Sequence, residues 1–195
     1  MEKVVRSLIS HNVLREEDYD LYLYSFRQLF IIFCHLTTYL VMAYLYHEIW
    51  ILIVFLAAFI PLRSYAGGYH ASKQLTCYFV SVATVFAILT LMKYSIINLR
   101  AFAVLALISF LVIVLMAPRE SKNKPYEDDD RAYYRKKTLM ILNVEALSAI
   151  FFTWLGYRDL SEALFLAWTM VAVLLLLDSR ALAKMLSNSK QDMEH

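Results

Sequence analysis

This chain of 195 residues has few charges, glycines and cysteines, and each shortage excludes something. Its two cysteines, Cys34 and Cys77, are too few and too far apart for a disulfide framework or a metal-ligand cluster. Net charge is only +2, so no bulk basic surface suggests a nucleic-acid partner. The N-terminus carries charges every few residues, without the short apolar core and small-residue cleavage site of a cleavable signal peptide. The apolar stretches are continuous, not alternating, which argues against a strand barrel. Only three glycines occur, so the pair Gly67-Gly68 stands out as a place where the backbone needs angles that a Cβ disfavours.

Apolar residues, by contrast, are abundant. They make up 61% of the chain, more than a soluble domain of this size can bury, and a bilayer is their natural solvent. Six apolar runs cover residues 29–46, 49–62, 75–92, 101–117, 139–155 and 160–177. A spanning helix needs about 20 residues, and the runs reach this with their flanks. The run 49–62 is short, and either extends at its ends or sits where the bilayer thins. The expected fold class is all-α: a polytopic membrane protein of six transmembrane helices, forming a single domain over residues 1–195.

Charge orients the spans. With the N-terminus in the cytoplasm, the segments before residue 29, at 63–77, at 118–137 and at 179–195 all face inward. They hold nearly all of the Lys and Arg, while the outer loops keep Lys93, Arg100 and Arg158. This asymmetry predicts cytoplasmic N- and C-termini. In residues 1–28, Val4, Val5, Leu8 and Ile9 recur at helical spacing. They predict a helix lying in the headgroup plane or, equally, an ordinary cytoplasmic helix packed on the protein. Tyr19, Tyr22 and Tyr24 lead into the first span as interfacial aromatics. The polar stretch 118–137 carries prolines that bar a continuous helix. Its acidic run at 127–130 lies between basic clusters, and reads either as a solvated face or as a docking surface for a charged partner.

The chemistry concentrates in Arg63-Ser-Tyr-Ala-Gly-Gly-Tyr-His-Ala-Ser-Lys-Gln-Leu-Thr-Cys77. A thiolate attacks carbonyls and an imidazole can take the thiol's proton, so His70 and Cys77 are candidates for nucleophile and base. In a straight helix their spacing gives roughly 10.5 Å of rise, too far for a hydrogen bond of about 3 Å. Cooperation therefore requires a bend between them, near Ala71-Ser72. Cys77 would then sit at the N-terminus of the third span, where the helix dipole favours a thiolate. A lone cysteine at a span boundary is ordinarily just a small apolar residue, so the residues alone leave the pair open. Cys34-His35 is a second pairing, but adjacent helix residues point in different directions, and packing is the expectation there. Glu145, inside the fifth span, is either functional or reaches the headgroups or Lys136 and Lys137.

The segment Arg63–Ala71 followed by Cys77 resembles the signature of the accessory gene regulator B (AgrB-type) family, bacterial membrane cysteine endopeptidases of peptide quorum sensing. The six-span layout, the chain length and the loop Ala117-Pro118…Asn123-Lys124-Pro125 are also similar. The resemblance implies that Cys77 is the nucleophile, that His70 activates it, and that Arg63, Gly67 and Gly68 support the site. Ser72, Gln74 and Glu145 are candidates for a further supporting or histidine-orienting role. The implied substrate is a short autoinducer precursor peptide (AgrD-like) with an amphipathic leader, a central segment and an acidic C-terminal tail. Cleavage through an acyl-thioester on Cys77 and cyclisation to a thiolactone or lactone would follow, without cofactor or metal.

Charge suggests that Lys122, Lys124, Arg131, Arg135, Lys136 and Lys137 attract the acidic tail, with Glu145 as a further substrate-facing candidate. Membrane lipids and a homodimer partner are also implied, in the bacterial cell membrane. The competing readings are a small peptide exporter, for which the spans hold too few polar residues, and a noncatalytic scaffold acting through the 118–137 loop.

Overall fold

Long apolar runs without breakers form helices, because only a helix satisfies every backbone N–H and C=O within its own segment in lipid. The computed structural model describes residues 2, 6, 15–68, 74–94, 99–119 and 128–178, and it is helical. After a short 3-10 turn at Glu16–Asp18 come six helices: α1 (Tyr19–Tyr46), α2 (Ile49–Ala66), α3 (Gln74–Lys93), α4 (Leu99–Met116), α5 (Asp128–Trp154) and α6 (Arg158–Leu176). Five are long and apolar enough to cross a membrane, while the apolar helix at 100–116 is shorter. Large apolar side chains such as Leu115, Trp50 and Trp154 are 77%, 74% and 80% exposed. That outward apolar surface suits lipid and not water. The protein is an all-α, polytopic membrane protein.

Two helices begin earlier than their apolar runs. α1 starts at Tyr19, so residues 19–28, with Tyr19, Tyr22 and Tyr24, lead into the first apolar run within one helix. Asp20 in its first turn complements the helix dipole, and nothing between Tyr19 and Leu29 breaks the helix. Most of the expected helix over the preceding residues lies outside the described residues. α5 starts at Asp128, which shortens the expected loop 118–137. Its acidic start followed by Arg and Lys is favourable helix sequence, and hydrophobicity alone does not register it.

By its contacts the chain divides into two compact units, residues 1–42 and 43–195. In the first, Arg27 faces Glu2 at 3.9 Å on the exposed surface. In the second, α6 is the central helix: it packs against α2, α4 and α5, and α3 makes lighter contacts with α2 and α6. One core cluster surrounds Ile51, Phe55, Met92, Phe102, Ala149 and Ala163. At that end Thr153 donates to Ser161 Oγ and Ser161 to the Ala149 carbonyl, both at 2.9 Å, closing the α5–α6 turn. Lys93 there donates to the Tyr46 carbonyl at 2.8 Å. The other cluster holds Leu62, Ala66, Ala106, Ala117, Trp168 and Ala172. Its small residues let α2, α4 and α6 approach closely, and Ser109 bonds Thr169 across α4 and α6 at 3.2 Å.

Candidate functional site

The C-terminal ends of α2, α4 and α6 converge beyond this second cluster. The Arg119 amide donates to the Ala66 carbonyl at 2.9 Å, and Gly67 and Arg119 form an isolated parallel bridge. Gly67 and Gly68 both have positive φ, 75° and 106°. A Cβ on Gly67 would overlap the Arg119 carbonyl oxygen, and one on Gly68 would come within 3.0 Å of the Leu174 carbonyl oxygen. The glycine pair is thus required twice over, by backbone angle and by the backbones of α6 and of the segment after α4.

Arg63 lies one turn before this junction, half-buried in the last turn of α2. Its guanidinium donates to the carbonyl oxygens of Gly67 and, at 3.2 Å, of Gly68. A cation suits this place because helix C-termini carry partial negative charge and unpaired carbonyls. Arg63 also interacts electrostatically with Cys77 and with Asp178. Cys77 sits in the first turn of α3, half-buried, the position expected from the sequence. Arg119 and Asp178 complete the charged set, with Arg119 Nε 3.9 Å from Asp178 Oδ2.

Arg63, Gly67, Gly68 and Cys77 are therefore brought to one end of the second unit. His70 and Ser72 lie outside the described residues, as does the bend expected near Ala71-Ser72. Gln74 opens α3. Lys122 and Lys124 also lie outside. Arg131, Arg135 and Lys136 are exposed on α5, and Lys137 lies over the Tyr133 ring at 5.6 Å. Tyr65, two residues from Arg63, packs its ring on Tyr134 at 5.9 Å between centroids. This contact sets the basic start of α5 beside the end of α2.

Glu145 departs from the sequence expectation. It is 7% exposed, and its Oε2 accepts a hydrogen bond from Trp168 Nε1 at 2.7 Å. It faces Trp168 of α6 inside the bundle. An indole N–H three helical turns along a different helix satisfies it, and spacing within α5 could not reveal that partner. Arg119 and Asp178 were missed for a related reason: their significance comes from meeting, and they are far apart in the chain. Among the described residues, no group of three or more His, Cys, Asp or Glu is placed to hold a metal ion.

No curated protein and no solved structure matches the chain at a significant level. A family model does, over residues 1–176, a stretch that includes Arg63, the glycine pair, His70 and Cys77. On that match the chain belongs to the accessory gene regulator B (AgrB) family, which takes part in processing autoinducer peptides for quorum sensing.

Proposed function

We propose that this protein is a membrane cysteine endopeptidase that removes the C-terminal tail of an autoinducer precursor and closes the remaining peptide into a ring. The observation that carries the reading is the placement of Cys77. It lies half-buried in the first turn of α3, within electrostatic range of Arg63, and Arg63 holds the Gly67-Gly68 turn from which the chain runs on to His70. A nucleophilic thiol works beside fixed positive charge and a base, and Arg63 supplies a fixed cation at this end of the unit.

In the proposed reaction His70 takes the Cys77 proton, and the sulfur attacks the carbonyl of the peptide bond preceding the acidic tail. The C–N bond breaks, His70 returns the proton to the leaving amine, and a C–S bond leaves the peptide acylated on Cys77. An internal thiol of the precursor then attacks this thioester. A ring thioester forms, the Cys77 thiolate leaves, and the incoming thiol's proton passes through His70. Where the precursor supplies a serine hydroxyl, the product is a ring ester. Exchange of one thioester for another conserves the acyl energy, and the acyl-enzyme divides one hard step into two easier ones. The basic residues Arg131, Arg135 and Lys136, on the start of α5 beside the end of α2, draw in the acidic tail.

The test uses the full chain in liposomes with synthetic precursor peptide and mass spectrometry of the products. Wild type is expected to release the tail, while Cys77→Ala and His70→Ala insert normally and release none. Tail release by Cys77→Ala would overturn the reading.

A further inference from the structure

α4 and α5 both pack on α6 but scarcely touch each other. The space between them is a cavity of about 650 Å³, within the range of about 300–1,000 Å³ usual for ligand sites. Phe165 and Trp168 of α6 line it, with Ala103 and Phe110 from α4 and Ala146 and Ile150 from α5. The polar groups of Thr153 and Trp168, which also face it, are engaged inside the protein. Thr153 Oγ1 donates to the Ala149 carbonyl at 2.8 Å, and Trp168 Nε1 to Glu145 Oε2 at 2.7 Å. The lining is therefore hydrocarbon. At one end of the groove Arg100 is exposed, one turn before Ala103 and two turns before Leu107 on the same face of α4. Trp154, the last residue of α5, lines that end too. We propose that the groove holds one acyl chain of an anionic phospholipid, with the lipid phosphate at Arg100, at the end of the bundle away from Cys77.

Length selects the occupant. From Ala103 to Phe110 the α4 wall rises roughly 10.5 Å, and Arg100 lies about 4.5 Å beyond it. Half of a hydrocarbon core about 30 Å thick is about 15 Å, so groove and cation together match one leaflet. A partner's spanning helix would run the whole core, and two turns of groove hold little of it. An extended peptide would bury its backbone N–H and C=O groups against a wall without free partners. An acyl chain has no such groups. Charge selects the headgroup. Arg158 also lies at this end, but Glu162 follows it one turn later on α6 and offsets it. Among the described residues Arg100 makes no ion pair. A guanidinium matches a phosphate with two parallel N–H donors, and its stem lies along apolar surface while its head reaches the interface. Trp154 at the same level is a usual interfacial aromatic. A single basic residue near the membrane surface favours an anionic lipid by about 5-fold. The alanines on both walls keep the slot open, and a larger side chain at Ala103 or Ala146 would fill it.

Trp168 is 4% exposed at the base of the groove, which makes it a reporter of a chain lying there. The exposed Trp50 and Trp154 are replaced by Phe, so that Trp168 alone fluoresces. The full-length chain is placed in phosphatidylcholine vesicles that contain a minor fraction of a probe lipid with a brominated chain, either phosphatidylglycerol or phosphatidylcholine. Brominated phosphatidylglycerol is expected to quench Trp168 at about 5-fold lower mole fraction than brominated phosphatidylcholine. Arg100→Gln should abolish this preference and Arg100→Lys retain it. Ala103→Leu/Ala146→Phe should remove quenching by both lipids. Equal quenching by the two lipids, or a preference that survives Arg100→Gln, would overturn the headgroup assignment. Undiminished quenching in the filled variant would overturn the chain's placement. Quenching relieved by added precursor peptide, or lost as protein density in the vesicle rises, would give the groove to a peptide or to a second copy and overturn the proposal. Should the filled variant fail to melt cooperatively, the surface variants of Arg100 still decide. None of these readouts involves Cys77, so the outcome is separate from that of the peptidase reading.

Discussion

Two cysteines lie near histidines in this chain, and their surroundings differ in kind. Cys34 and His35 are neighbours within α1. His35 Nδ1 is hydrogen-bonded to the Tyr39 hydroxyl at 2.8 Å, one turn along, and the Cys34 carbonyl accepts from Thr38 Oγ1. The imidazole thus has a partner on its own helix. Cys77 and His70 are farther apart in sequence, yet Cys77 lies in the first turn of a helix, interacts electrostatically with Arg63, and belongs to the end of the unit where three helices terminate. On the proposed peptidase reading, adjacency in sequence is not what pairs a thiol with its base. A thiol becomes useful where backbone ends and fixed charge gather, whereas His35 within its span has a hydrogen-bond partner one turn along the same helix.

The sharpest way to break this contrast is to remove each thiol in turn. Cys77→Ala is expected to lower tail release by at least about 1,000-fold, whereas Cys34→Ala stays within about 2-fold of wild type. Product mass spectrometry at equal protein in liposomes reads both. A large loss in Cys34→Ala with Cys77→Ala unaffected would reverse the assignment.

The next effect comes from the glycines. Gly67 and Gly156 both have positive φ, 75° and 87°. A Cβ on Gly156 meets nothing within 4 Å, while one on Gly67 overlaps the backbone of Arg119. Gly156→Ala should therefore cost only the backbone penalty, about 1–2 kcal/mol, with cleavage near wild type. Gly67→Ala adds a displacement of the Arg119 backbone to that penalty, and should lower cleavage by about 10- to 100-fold as the site end opens. Thermal melting and turnover measured together distinguish the two, and equal behaviour of the variants would show that the close approach at Gly67 is unimportant.

These cases also show what was legible beforehand. The six apolar runs located the helices, because burying backbone in lipid leaves no other solution. α1 and α5 begin well before their apolar runs, since polar and acidic residues can open a helix without being apolar. The Gly67-Gly68 turn could be read from glycine scarcity alone. Its partners could not: nothing in the sequence joins Ala66 to Arg119, Gly68 to Leu174, or Asp178 to Arg119. These meetings depend on how α2, α4 and α6 end together, a property of packing that small residues such as Ala66, Ala117 and Ala172 permit without specifying.

A smaller effect is expected from the exposed start of α5. Replacing Arg131, Arg135 and Lys136 together by Gln should raise KM for an acidic-tailed peptide several-fold, flatten its salt dependence and leave kcat nearly unchanged, because screened surface charge steers encounter and not chemistry. Adding Lys137→Gln should contribute least, since its ammonium rests over the Tyr133 ring at 5.6 Å. An unchanged KM and salt slope would remove the docking role from this face.

The smallest effect is expected at Glu145, which tests whether a polar group inside a span behaves like His35 or like Cys77. Its Oε2 receives the Trp168 N–H, and its Oε1 makes no hydrogen bond among the described residues. Gln at this position keeps a carbonyl oxygen for the indole and nearly the same volume. Glu145→Gln should therefore leave cleavage within about 2-fold and stability within about 1 kcal/mol. Trp168→Phe leaves both oxygens of a buried carboxyl without a donor and also opens space in the second core cluster. It should lower stability by about 1–3 kcal/mol or more. Such a pattern, with structure sensitive to the indole and activity indifferent to the carboxyl, would place Glu145 with His35 as a group satisfied within the bundle. If Glu145→Gln instead abolished tail release while melting normally, the chemistry would have to extend from the helix ends into the interior, and the division between the two regions would fail.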